Sequence, residues 1–198
     1  MIFRLLVGVY GSAWKLKEKS KKSKNKYIRK ISQLIYGGYQ YENGSSIAWN
    51  SSFKGEPCFP HGMKSIFISG DAVIGKNCVI FQQVVIGSVV LLDSKNSGSP
   101  TLGDNCYIGA GAKIVGAVTI GDNVRIGANT VVYKDVPDNS IVVSNEQRVI
   151  TRDIRLDNKF YTNSQAWQYY NEGNWIDADE VTKAKLSSII KENQKNEA

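Results

Sequence analysis

Aliphatic residues recur at every sixth position along much of the chain. The series runs Ile68, Ile74, Ile80, Ile86, breaks, and resumes as Leu102, Ile108, Ile114, Ile120, Ile126 and Val132. Four residues after each of these stands a small or β-branched residue: Ala72, Cys78, Val84, Val90, Cys106, Ala112, Val118, Val124, Thr130 and Val136. A period of six held in phase over so many units is an internal repeat, and it dictates the architecture. A short strand turns its aliphatic residue inward, a tight turn follows, and a small residue fills the corner. Three such units close one triangular coil. Stacked coils then bury a continuous aliphatic ladder and exchange backbone hydrogen bonds. The fold class expected is mainly β, a parallel β-helix of hexapeptide repeats.

The interruptions are as informative as the repeat. The phase extends upstream, more weakly, through Ile47, Phe53 and Phe59. Nine residues separate Phe59 from Ile68, so three extra residues bulge near His61. Sixteen separate Ile86 from Leu102, so an excursion over 92–101 is expected, where Asp93 to Pro100 is rich in turn formers. Insertions in a solenoid cluster on its functional face. The repeat domain is thus read as 46–143. Residues 1–45 form a basic N-terminal segment, with one or two helices over 13–36 where Lys alternates with apolar residues. Residues 144–198 form a C-terminal cap and helix: Ile154 to Ile176, rich in Tyr and Trp, is expected over the last coil, and Asp179 to Asn193 reads as a short helix.

Charge changes the picture only at one end. The formal net charge is +7. Residues 15–30 hold nine Lys or Arg and one acid, Glu18, hence +8, which leaves the remainder of the chain near −1. The high isoelectric point belongs to that segment, not to a face of the fold. Two readings of it stand side by side: a solvated helical flank, or, with the apolar stretch from Met1 to Tyr10, a peripheral contact with an anionic membrane. No nucleic-acid recognition motif accompanies it. Cys58, Cys78 and Cys106 form no paired framework and no C-x-x-C, which with a single histidine argues against a zinc site and fits the reduced thiols of a cytoplasmic protein. No apolar run approaches the length of a membrane span.

The stretches Phe59-Pro-His-Gly-Met-Lys-Ser-Ile-Phe-Ile68, Ile74-Gly-Lys-Asn-Cys-Val-Ile-Phe-Gln-Gln-Val-Val-Ile-Gly87 and Ile108-Gly-Ala-Gly-Ala-Lys-Ile114 resemble the hexapeptide-repeat acyltransferases. The nearest branch is that of serine acetyltransferases and the O-acetyltransferases of bacterial surface polysaccharides. The resemblance covers about residues 46–143 and implies a left-handed coil, acetyl-CoA as co-substrate with no metal, and a homotrimer with active sites between subunits. It carries the family's general base onto His61, the only histidine. The chemistry needs such a group, because a hydroxyl is a poor nucleophile until a base removes its proton, and imidazole titrates close to neutrality. The bulge beside His61 fits that assignment. Cys58 is a rival nucleophile through an acetyl-enzyme, whereas Cys78 and Cys106 fall on inward corner positions.

The resemblance also implies that the pantetheine arm of acetyl-CoA meets backbone at coil corners, at positions matching Gly87, Ala110 and Ala128, where small residues allow close approach. Lys113, Arg125 and Lys134 offer cations for its phosphates, with solvated surface charge as the competing reading. One of Gln82 and Gln83 matches a glutamine near the family's active site that could bond the acceptor, with core packing or a polar ladder along the coil as the competing reading. Backbone N–H groups near Gly87 are candidates for the oxyanion. Three departures bear on the acceptor. Ser46 stands at the place of the aspartate that backs the family's histidine, Pro60 at that of the aspartate that engages serine, and Ser99 at that of a second histidine. An ammonium-bearing acceptor wants a carboxylate that Pro60 cannot supply. A backbone carbonyl, Ser46 or Glu56 is left to orient His61. The main expectation is therefore O-acetylation of a saccharide hydroxyl in capsule, lipopolysaccharide or another surface polysaccharide. The alternatives are serine O-acetylation for cysteine biosynthesis, N-acetylation of an amino sugar nucleotide, and a non-catalytic β-helix scaffold.

Overall fold

The structure is a computed structural model that describes residues 2–91, 93–143, 148–154, 157–162 and 166–196. Its centre is a three-sided coil of two- to four-residue strands. Face 1 stacks Ser46–Ile47, Phe67–Ile68, Val85–Gly87, Lys113–Val115 and Val131–Val132, all parallel. Face 2 stacks Ser52–Phe53, Val73–Ile74, Thr101–Leu102 and Thr119–Ile120. Face 3 stacks Val79–Ile80, Tyr107–Ile108, Arg125–Ile126 and Ser140–Val143, and closes on the antiparallel strand Arg148–Thr151.

The register sets like on like. Ile68, Ile86, Ile114 and Val132 lie in one row, Ile74, Leu102 and Ile120 in the second, and Ile80, Ile108 and Ile126 in the third. All ten repeat aliphatics are buried. Removing each from water contributes about 1.5–3 kcal/mol. Of the ten corner positions, only Val90 departs, being exposed. The chain leaves the coil at Ser88 and forms a hairpin in which Val89 and Gly98 exchange backbone hydrogen bonds at 2.9 and 2.8 Å. Pro100, two residues before Leu102, takes the buried corner in its place.

The corner between faces 2 and 3 is built from polar ladders. Asn77, Asn105, Asn123 and Asn139 all take φ between 53 and 58°, a left-handed turn that asparagine tolerates. Beside them, the carboxylates of Asp104, Asp122 and Asp138 accept the backbone N–H of Lys76, Asp104 and Asp122 one coil away, at 2.9, 2.6 and 2.8 Å. Gly103 sits inside this ladder, and a Cβ there would fall 2.3 Å from Asp122 Oδ1 and 2.7 Å from the Gly121 carbonyl carbon.

Three helices close the first coil: α1 (Ile2–Val9), α2 (Ala13–Lys22) and α3 (Lys26–Glu42). Ser12 and Asn25 start the second and third, their side chains accepting the N–H of Lys15 at 3.0 Å and of Tyr27 at 2.9 Å. The exposed backbone of the first coil needs partners. Tyr36 Oη and Gln40 Nε2 donate to the Ile47 carbonyl at 3.1 and 2.8 Å, and Lys17 Nζ donates to the Ser51 carbonyl at 2.9 Å. Lys17 is fully buried, its ammonium 4.8 Å from the ring of Phe53 and 5.4 Å from that of Trp14.

The aromatic stretch after the repeat does not cover the last coil as expected. The Arg148–Thr151 strand closes that end, and residues 157–162 and 166–177 lie along the outside of face 3. Arg125 donates to the Asp157 carbonyl at 2.9 Å and Asn158 to the Asn105 carbonyl at 2.6 Å. The N–H of Glu172 reaches Asn77 Oδ1 at 2.9 Å, and Tyr170 Oη reaches the Glu56 carbonyl at 3.2 Å. The asparagine corner supplies acceptors along the whole flank, whereas one coil end offers only a few. A small antiparallel sheet, Tyr161–Thr162, Gln168–Asn171 and Asn174–Asp177, precedes the final helix α4 (Glu180–Asn196).

Candidate active site

His61 lies on the turn that joins face 3 to face 1. Cys58 pairs with Val79 on face 3, and the chain regains face 1 at Phe67. The Gly62 N–H donates to the Phe59 carbonyl at 2.9 Å, a turn for which Pro60 sets φ in advance. The loop is then pinned. Met63 is buried, the Ser65 N–H reaches the Asn43 carbonyl at 3.0 Å, and the Gln83 N–H reaches the Lys64 carbonyl at 3.2 Å. This is where the three extra residues counted from the spacing project outward.

The imidazole is exposed, with the ring of Phe81 beside it, centroids 5.8 Å apart. Phe81 in turn meets Tyr107 at 5.2 Å and Phe160 at 6.0 Å, and Phe160 meets Trp175 at 6.0 Å. Phe81 and Tyr107 of the coil, backed by Phe160 and Trp175 of the strap, therefore form an apolar wall beside the histidine. Sequence reasoning passed over Phe81, although its place directly after inward Ile80 marks it as an outward side chain. Burial on this face pushes the Tyr107 hydroxyl up, and that of Tyr170 up to about 12.

None of the side chains suggested to orient His61 reaches it. Among the described residues the imidazole makes no hydrogen bond or ion pair. Ser46 sits exposed on face 1 of the first coil, paired with Phe67. Glu56 lies at the far end of face 3 with Lys54, Lys76 and Asn77, and burial raises its carboxyl while Lys15 partly offsets the rise. Cys58 is near in sequence but buried, and desolvation pushes its thiol up to about 12. That keeps it protonated and a poor nucleophile.

The remaining candidates divide between corners. Gln82, Gln83, Ala110, Ala128 and Lys113 share the corner of His61. The Gly111 N–H donates to the Gln82 carbonyl at 3.0 Å, the Asn129 N–H to the Ala110 carbonyl at 2.8 Å, and Lys113 Nζ to the Gly111 carbonyl at 3.2 Å. Gln82 Oε1 is buried without a partner, and the exposed Ala128 has neither backbone group in a hydrogen bond among the described residues. This corner therefore offers two alanines, an unsatisfied side-chain acceptor and, at Ala128, free backbone, which fits an extended amide-bearing arm such as that of CoA. Gly87 and Lys134 do not share it. They sit at the opposite end of face 1, a strand length or roughly 10 Å away, and the Gly87 carbonyl accepts from the Gly116 N–H at 2.9 Å. Arg125 points along face 3, where its guanidinium holds Asp157 and Asn158. Ser99, at the place of the family's second histidine, hydrogen-bonds Ser88 Oγ at 2.6 Å and closes the neck of the hairpin. A cavity of about 340 Å³ lies between the asparagine corner and the strap, lined by Asn77, Asn105, Asn158 and Tyr170, at the other end of face 3 from His61.

The family model described as bacterial transferase hexapeptide (six repeats) matches residues 99–134. With the period and the three parallel faces, this makes the chain a hexapeptide-repeat protein of the left-handed β-helix fold. Within that class its similarity is to serine acetyltransferases. That of Synechococcus elongatus is 45% identical over 100 residues, covering 49% of this chain and 39% of the relative. That of Staphylococcus aureus is 35% identical over 138 residues, covering 66% of this chain and 59% of the relative. The crystal structure of Neisseria gonorrhoeae serine acetyltransferase superposes with a TM-score of 0.61 at 25% identity, covering 73% of this chain and 55% of that one. The chain thus spans about half the length of the relatives it matches.

Proposed function

We propose that this chain is an acetyl-CoA-dependent O-acetyltransferase with His61 as general base. The observation that carries the reading is the corner itself. The single histidine projects from a pinned turn, at a corner where Ala110 and Ala128 are short and Ala128 has its backbone unpaired among the described residues, in a fold whose named relatives are acetyltransferases. As the acceptor hydroxyl attacks the thioester carbonyl, the imidazole takes its proton. When the tetrahedral intermediate collapses, the carbon–sulfur bond breaks and the thiolate of CoA leaves, taking that proton back. Ala110 and Ala128 would hold the pantetheine arm through their backbone, with Lys113 toward the phosphates and Gln82 or Gln83 toward the acceptor. The exposed histidine and the separation of Gly87 from it favour a homotrimer, in which a neighbouring subunit completes each site.

Serine is the acceptor that the relatives support best. A neutral sugar hydroxyl is a second reading, favoured by one observation: Pro60 precedes His61 and, among the described residues, no carboxylate bonds the imidazole. The named relatives lend no support to a capsule or lipopolysaccharide setting. Thiol release from acetyl-CoA by the purified protein decides between the two, measured with serine, nucleotide sugars and de-O-acetylated glycans. Turnover with serine selects the first acceptor, turnover with a glycan alone selects the second, and absence of CoA binding refutes the enzyme.

A further inference from the structure

The N-terminal helices turn two apolar stripes away from the coil. The start of α1 is pinned to the end of α3: Glu42 accepts the N–H of Phe3 and Arg4 at 3.2 Å, and the ring of Phe3 lies so close over Gly38 that a Cβ there would fall 2.4 Å from it. On their inner sides α1 buries Val7, and α3 buries Ser32, Ile35, Tyr36 and Gln40. On the outer sides Ile2, Leu5 and Val9 share one side of α1, and Tyr27, Ile31 and Leu34 share one side of α3, by their spacing of three and four. These six are between 53 and 83% exposed.

Cations border both stripes. Lys26 Nζ lies 5.2 Å from the ring of Tyr27, and Lys19 Nζ lies 4.8 Å from that of Tyr10 at the end of α1. Lys30 stands one turn before Leu34. Among the described residues Lys24, Lys26, Arg29 and Lys30 make no ion pair, and the one acid of the segment, Glu18, is taken by Lys22 at 2.5 Å. No helix among the described residues is long and apolar enough to cross a membrane. At eight residues α1 is about 12 Å long, against a hydrocarbon core of roughly 30 Å.

We propose that α1 and α3 form a docking surface for an anionic lipid bilayer, with the two stripes seated at the boundary of headgroups and acyl chains and the surrounding Lys and Arg against the headgroups. Charge decides the occupant. A second copy on this surface would bring the unpaired Lys24, Lys26, Arg29 and Lys30 of one chain against those of another, whereas an anionic bilayer neutralises them. The inference stands whether or not the coil transfers acetyl groups.

The test is flotation of the full chain with vesicles of phosphatidylcholine alone and of phosphatidylcholine with about one-third phosphatidylserine. The chain is expected to partition to the anionic vesicles and at least about tenfold less to the neutral ones, and to lose binding between about 0.1 and 0.5 M salt. Leu5→Glu with Leu34→Glu, both exposed and so neutral for folding, and separately Lys26→Glu with Lys30→Glu, should each weaken binding about tenfold or more at unchanged Tm. Absence of binding to anionic vesicles, equal binding to neutral ones, or binding retained in both variants overturns the proposal. A drop in sedimentation mass of the Leu5→Glu, Leu34→Glu variant with vesicle binding unaltered would assign the surface to a second copy instead.

Discussion

At the scale of single residues, exposure separates chemistry from packing. His61 is exposed and contributes little to the core, so His61→Ala should keep the Tm while turnover falls by about 10²–10⁴-fold. Thiol-release kinetics beside a thermal melt check this, and turnover at the wild-type level would remove the base assignment. Cys58 is the converse case. Burial holds its thiol near 12, so it stays neutral through the pH range of an assay. Cys58→Ala should therefore retain turnover, and mass spectrometry of the wild type quenched during turnover should find no acetyl group on Cys58. His61 was legible because it is unique and interrupts the repeat. That its imidazole makes no hydrogen bond among the described residues was not, since Ser46 and Glu56 were candidates by sequence but stand on face 1 of the first coil and at the far end of face 3.

At the scale of elements, the helical cap hides a charge where the sequence suggested only a basic surface. Lys17 is one of nine cations in its segment, yet it is fully buried against Trp14 and Phe53 and donates to carbonyls that the first coil leaves open. Desolvation lowers its ammonium to about 8. A lysine in the unfolded chain titrates near 10.4, so between these values the unfolded state binds more protons. Stability must then rise with pH from about 8 to about 10.4 through this group. Thermal melts across that range should show a rising contribution in the wild type that is absent in Lys17→Met. The variant should also lose about 1–3 kcal/mol near neutrality, because the Trp49 carbonyl loses its donor and the Ser51 carbonyl keeps only Lys21 Nζ at 3.3 Å, offset in part by relief of the buried charge. A pH dependence identical in both proteins would show that Lys17 does not titrate there.

At the scale of the whole molecule, stability is stacked coil on coil. Ile114 lies mid-ladder between Ile86 and Val132 and is fully buried. Ile114→Ala should cost about 2–5 kcal/mol. Ile114→Asp should abolish the cooperative melt, because an unpaired carboxylate would enter an aliphatic interior. A folded, soluble Ile114→Asp protein would refute the inward phase. The coil alone leaves its flank open, and the strap over face 3 adds Phe160 and Trp175 behind Phe81, the ring beside His61.

The six-residue period by itself determined the coil, its inward ladder and the two places where the chain must leave it, because a strand two residues long can bury an aliphatic side chain in only one phase. It also marked His61. It could not say that Val90 would be flung outward with Pro100 in its corner, since both the spacing and the side chain suit that position until the hairpin closes. Only the tertiary structure decided which small residues share the corner of His61 and which stand a strand length away. It also decided that Arg125 holds the strap and that the aromatic stretch lies along face 3. Those outcomes depend on which backbone groups the coil leaves unpaired, and that is settled only when the coils stack.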